Sequence, residues 1–170
     1  MTIEFHFLYK KWRNICNHCV YWREIIIMLI EVKSNNELLG IIINGNYKKQ
    51  GISFFTPDEL SQQVAYMQHP KGHIILPHVH NLVTREVHYT QEVLVIKSGI
   101  LRVDFYDKEK NYIESHVVSD GGVIVLVAGG HGFKVLEDVE MYEIKQGPYA
   151  GDGDKTRFEG TADKYLKIVD

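Results

Sequence analysis

The chain has 170 residues, enough for one ordinary domain with a sizeable core. Apolar residues make up 45% and charged residues 24%, a globular composition that excludes a disordered chain. Nineteen Lys and Arg against 22 Asp and Glu give a net charge of −3, so no basic excess is on hand to grip nucleic acid or an anionic membrane.

Residues 1–27 are rich in aromatic and basic side chains and lead into the apolar run Ile25 to Ile30. Six apolar residues fall far short of the roughly 20 that span a bilayer. No small-residue cleavage site follows, as a secretory signal would require. The run predicts a buried first strand continued by Glu31 and Val32. Regular patterning begins only there, which marks 1–27 as an N-terminal extension and Met28 as a candidate start; an N-terminal mass of the native protein would decide. Cys16-Asn17-His18-Cys19 is a CxxC, but no second pair completes a zinc site and no βαβ pattern suggests a redox fold, so two ordinary reduced thiols are expected.

From Leu38 the punctuation is that of an all-β protein. Leu39 to Ile43 ends at the turn dipeptide Asn44-Gly45. Thr56-Pro57-Asp58-Glu59 has the form of a capping box with proline at the first helical position, predicting one short helical turn. Strands are expected at 62–68, 73–78, 91–97, 100–106, 112–118, 122–127, 132–137 and 140–145. Leu101, Val103 and Phe105 alternate with Arg102, Asp104 and Tyr106, as on a strand with two unlike faces. This spacing predicts a sandwich or small barrel of the jelly-roll kind over 28–150, followed by a polar C-terminal tail at 151–170.

Nine histidines are numerous for this length, and three of them stand out. In His78-Val79-His80, positions two apart on a strand share a face. Glu92 opens the apolar strand that leads to Gly99, and His131 sits in the glycine-rich turn Gly129-Gly130-His131-Gly132. Three imidazoles and a carboxylate would suit one divalent transition ion, Fe, Mn, Ni, Co or Zn, with room left for substrate or O₂. Each piece alone has a plainer reading: core or surface histidines, a solvated carboxylate, an ordinary turn. His88 and His116 lie on strand-like segments without companions at ligand spacing and are expected to be structural, while His69 and His73 flank Pro70-Lys71-Gly72 and are expected to be turn residues.

In this order the residues resemble the motifs of the cupins. The first cupin motif places Gly72, His78, His80, Glu92 and Gly99, although eleven residues separate His80 from Glu92 where the family usually has three or four. Glu86 lies nearer the usual distance from His80 and is the alternative carboxylate; Glu92 is preferred because its strand runs unbroken to the glycine. The second motif begins at Gly122, with Val127-Ala128-Gly129 in place of Pro-Ala-Gly and His131 one residue early. The resemblance covers about residues 60–145 and implies a cupin-type jelly-roll barrel whose metal is held by His78, His80, Glu92 and His131.

The closing stretch Glu143 to Tyr149, with Asp154-Lys155, looks like that of small cupin metalloproteins found among bacterial O-antigen and surface-polysaccharide genes. That likeness implies a cytoplasmic setting near nucleotide-sugar metabolism. Glu143 and Lys145 share one strand face and either bind a ligand inside the barrel or form a solvated pair outside it. Asp152-Gly153-Asp154 begins like a calcium loop, but Thr156 and Arg157 stand where its third ligand and glycine belong.

Three functions follow as expectations. The first is a metal-dependent enzyme, an oxygenase or isomerase, acting on a small polar substrate such as a sugar or sugar acid, with Tyr89, Glu86 and Glu143 as possible bases. The second is a non-catalytic module that binds such a molecule. The third is a metal-free nucleotide-sugar isomerase or epimerase. Because open jelly rolls have edge strands to cover, a homodimer is expected, with 25–32 a natural strand to exchange.

Overall fold

The computed structural model describes residues 28–148 and 151–169; the CxxC motif and the extension 1–27 lie outside them. Eight strands are present among the described residues. They are β1 (Leu29–Ser34), β2 (Glu37–Ile43), β3 (Gly51–Phe54), β4 (Ala65–Gln68), β5 (Glu92–Tyr106), β6 (Tyr112–Val118), β7 (Val123–Leu126) and β8 (Gly130–Lys145). The first apolar run thus yields a strand at Leu29–Ser34, which pairs with β2 of the same chain. Six strands form one antiparallel sheet in the order β1-β2-β7-β5-β6, with β8 along the opposite edge of β5, while β3 and β4 form a separate hairpin. The large sheet curls into a half-barrel, so the all-β expectation holds at that level. No helix among the described residues is long and apolar enough to cross a membrane.

The apolar runs explain the layering. Along β2, Ile42 faces one way and Ile41 and Ile43 the other, as the period-2 alternation of a strand requires. Ile42, Leu94, Leu101, Phe105, Ile124 and Leu126 share the concave core. Ile41, Ile43, Val93 and Val125 bury their face against Tyr47, Phe55, Leu60 and Val64. Burial on both faces is why these strands read as unbroken apolar stretches.

Two pairs of expected strands are each a single strand. The stretches 91–97 and 100–106 are both β5, and 132–137 and 140–145 are both β8. The glycine that seemed to divide the first pair instead bends it. Gly99 has φ of 92°, and a Cβ there would collide with the carbonyl of Asp138 on β8. Around it the β5–β8 register shifts three times between Ile96 and Leu101. Such bulges bend a strand and raise its twist. The first residues of β5 therefore pair with β7 and its last with β6, and the ladder with β8 folds around the core.

Residues 56–63 form turns without a helix. The Thr56 hydroxyl accepts the amide of Val64 at 3.0 Å and closes the loop, where a capping box would use Glu59. The segment 151–169, expected as a tail, lies along the sheet. Ser115 donates its amide to the carbonyl of Lys167 and accepts the amide of Val169, each at 2.9 Å. Arg102, 7% exposed, forks onto Asp104 at 2.8 and 2.9 Å and reaches Asp163 at 2.9 Å.

Residues 69–91 carry neither helix nor strand, so the strand expected at 73–78 does not form within this chain. Every residue from 70 to 90 is exposed, with Val79 at 87% and Leu82 fully open. Pro77 has no amide to donate, and among the described residues no neighbouring strand pairs with the segment. The arm is anchored at its end by Gln91, which is buried and donates its amide to Gln146 Oε1 at 2.8 Å.

Candidate functional site

The folding of the β5–β8 ladder builds the site. Glu92 lies opposite Lys145 at one end of that ladder and His131 lies opposite Phe105 at the other. Both point to the concave face, which Leu94 and Phe105 share. Because the ladder folds at Gly99, the two ends meet, and His131 Nε2 stands 3.2 Å from Glu92 Oε2. Gly129 makes the turn into β8 with φ of 70°, so close to Tyr106 that a Cβ would strike its carbonyl. The glycine-rich turn noted in the sequence is what lets His131 enter the strand at this point.

Charge is concentrated here. The hydrogen bond from His131 holds the Glu92 carboxyl down at about 2; burial opposes the shift, and the charges of His131 and Lys145 add to it. Lys145 Nζ lies 3.4 Å from Glu92 Oε1 and 3.0 Å from Glu143 Oε1. The hydrogen bond to the adjacent Glu143 carboxylate raises the lysine above its ordinary value. Glu143 and Lys145 are therefore on the same face as Glu92, the site side of the two placements open from sequence. Glu92, not Glu86, stands beside His131; Glu86 is on the exposed arm, 3.5 Å from His88 Nε2.

His78 and His80 stand together elsewhere. Their rings lie 5.3 Å apart and nearly perpendicular, on the exposed arm. His78 Nδ1 donates to the Leu76 carbonyl at 2.9 Å, which leaves Nε2 as the nitrogen able to bind a metal. The four expected ligands thus form two pairs, each of suitable chemistry. Among the described residues, no three His, Cys, Asp or Glu side chains come together as a metal centre needs. The four expected donors are thus divided between the exposed arm and the folded sheet.

Glu92 and His131 line an open cavity of about 730 Å³. Its walls include Tyr89, Tyr106 and Phe158, and four basic residues: Lys108, Lys110, Lys155 and Arg157. Tyr106 and Phe158 meet edge to face at 5.0 Å, which fixes one aromatic wall. Sequence reasoning missed these cations. The tract Lys155-Thr156-Arg157-Phe158, basic and aromatic together, is the available signal, whereas Lys108 and Lys110 lie in the short turn between β5 and β6. Among the other histidines, His116 is 1% exposed with Nε2 at 3.0 Å from Glu114, the structural role expected of it.

Comparison of the chain with protein-family models, with curated proteins and with solved structures finds no match.

Proposed function

We propose that this protein is a metal-binding cupin with a jelly-roll barrel. In this reading it acts as a metal-dependent enzyme on a small polar or acidic molecule, such as a sugar or sugar acid, in cytoplasmic surface-polysaccharide metabolism. The observation that carries the reading is the Glu92–His131 pair on the wall of a cavity with four basic side chains. An ionised carboxylate and an imidazole 3.2 Å apart are half of a nitrogen and oxygen donor set. Together with His78 and His80 they would hold one divalent ion, Fe, Mn, Ni, Co or Zn. When bound, that ion supplies Lewis acidity or an O₂ site.

The chain's own residues account for ligand choice. Lys108, Lys110, Lys155 and Arg157 line the cavity together with Asp107 and Asp154, and Lys108 also pairs with Glu37, so the wall offers both charges to a polar or acidic ligand. Lys145 and Glu143 offer a donor and an acceptor beside Glu92, suited to sugar hydroxyls. The second reading, a binding module without turnover, is favoured by the state of the candidate bases. Glu143 is engaged by Lys145 and Glu86 is on the arm, so of the three only Tyr89 lines the cavity.

Elemental analysis of the wild type beside Glu92→Gln and His78→Ala/His80→Ala tests the metal reading. About one transition ion per wild-type chain, lost in both variants, is the expected result. An unchanged metal content in the variants would overturn it. Thermal stabilisation by sugar acids without product formation would select the binding module.

A further inference from the structure

Two features of this chain are unsatisfied in complementary ways. The arm, residues 70–90, is exposed throughout and carries Ile74, Leu76, Val79 and Leu82 into solvent. The 16-residue strand β8 pairs with β5 along one edge and, among the described residues, with nothing along the other. A free edge of that length is a template for another strand. Next to it the concave face is uncovered: Phe133, Val135 and Met141 lie opposite Val103, Leu101 and Ile96 yet are 39%, 55% and 40% exposed. In an extended arm Leu76, His78, His80 and Leu82 lie on one side and Ile75, Val79 and Val83 on the other, so both faces have apolar side chains to bury and the two histidines share one of them.

The metal donors are divided along the same line. His78 and His80 are on the arm, while Glu92 and His131 are on the body with the open edge.

We propose that the arm of one chain lies along the free edge of β8 in a second copy, bringing its His78 and His80 to the partner's Glu92 and His131. A two-fold axis makes the exchange reciprocal, so each dimer has two sites and each site needs both chains. The occupant is a second copy because the uncovered face and the segment that fits it occur once each in every chain, and exchange satisfies both. The exchanged element is then the arm, not the first strand, which pairs with β2 of its own chain. The shared site rests on the metal reading above; the exchange itself does not.

The test mixes two inactive parents. His78→Ala/His80→Ala and Glu92→Gln/His131→Ala chains with different tags are unfolded together and refolded, and the heterodimer is purified through both tags and offered Co(II). One of its two sites then receives a wild-type arm on a wild-type body. The expected result is one Co(II) per heterodimer, half the wild-type content, with neither parent binding any. A heterodimer that stays empty while the wild type loads would overturn the shared site.

A second measurement separates the exchange from the metal. Val79→Asp/Leu82→Asp alters side chains already in solvent in the single chain, so folding is unaffected and light scattering is expected to show a monomer where the wild type is a dimer. A wild-type monomer, or an unchanged variant mass, would overturn the exchange whether or not metal binds. A wild-type dimer that takes up no Co(II) but falls apart on this substitution would keep the exchange and remove the metal.

Discussion

Residues 151–169 and residues 70–90 are both long stretches with no strand of their own, and the sheet treats them oppositely. The first is tied down by backbone bonds to Ser115, by the Arg102–Asp163 ion pair and by Thr161, whose amide donates to Tyr106 Oη at 3.0 Å. The second has local contacts only, until Tyr89 and Thr90 approach Lys108 and Asp154. Their compositions run against simple intuition, since the polar stretch is docked and the apolar one is in water. Docking depends on partners for backbone and charge, not on hydrophobicity alone. An apolar stretch left open by its own chain is what the proposed exchange would cover.

The contrast can be broken most severely at Asp104. It accepts both prongs of the buried Arg102 guanidinium and the Ser115 hydroxyl, so Asp104→Ala leaves that cation with the exposed Asp163 as its one carboxylate partner. A loss of about 3 kcal/mol in urea-unfolding stability is expected. Trypsin in dilute solution sharpens the contrast next. Cleavage after Arg85 on the arm is expected well before cleavage after Lys167, whose amide and carbonyl are both bonded. Raising the protein concentration should protect Arg85 and leave Lys167 unchanged.

A third test is acid. The bond from His116, then that from Lys167, holds the Glu114 carboxyl below its ordinary value. Its contribution is therefore complete above the ordinary carboxylate range and is lost as pH falls toward the lowered folded value. Glu114→Gln is expected to flatten the acid limb of a melting-temperature profile, because Lys167 then loses its anionic partner at every pH. The smallest effect belongs to the arm. Leu82→Ser in dilute solution should change the chain's own unfolding free energy by less than about 0.5 kcal/mol, since the side chain is already fully in solvent.

Much of the sheet was legible because its signals are local. The Ile41–Ile43, Val93–Ile96 and Val123–Val127 runs each report burial directly. The alternation over 101–106 does not, because Arg102 and Asp104 on its polar face are buried as well, covered by Asp163 and Ser115. Gly99 was legible as a glycine that matters but not as a bend inside one strand, because its constraint comes from the Asp138 carbonyl, far along the chain. Strand β3 alternates with inverted polarity: Ser53 is buried while Ile52 and Phe54 are exposed. Of the site, Glu92 and His131 were found through their spacing to glycines. The strand expected beneath His78 and His80 failed because a strand exists only against a neighbour, and sequence gives no sign of where the neighbour is. The basic cavity wall was missed for the same reason, as Lys108 and Arg157 become neighbours only once the C-terminal segment docks.

The meeting of Glu92 and His131 joins the two ends of a single folded ladder. A molecule bridging that pair clasps the ladder shut, so its binding energy is also folding energy for the whole curved sheet. Saturating ligand should therefore slow amide exchange in the middle of β5 and β8, many residues from any contact. By the same linkage, a substitution at Gly99 would weaken affinity without touching the ligand. The site thus serves as a gauge of the sheet's curvature.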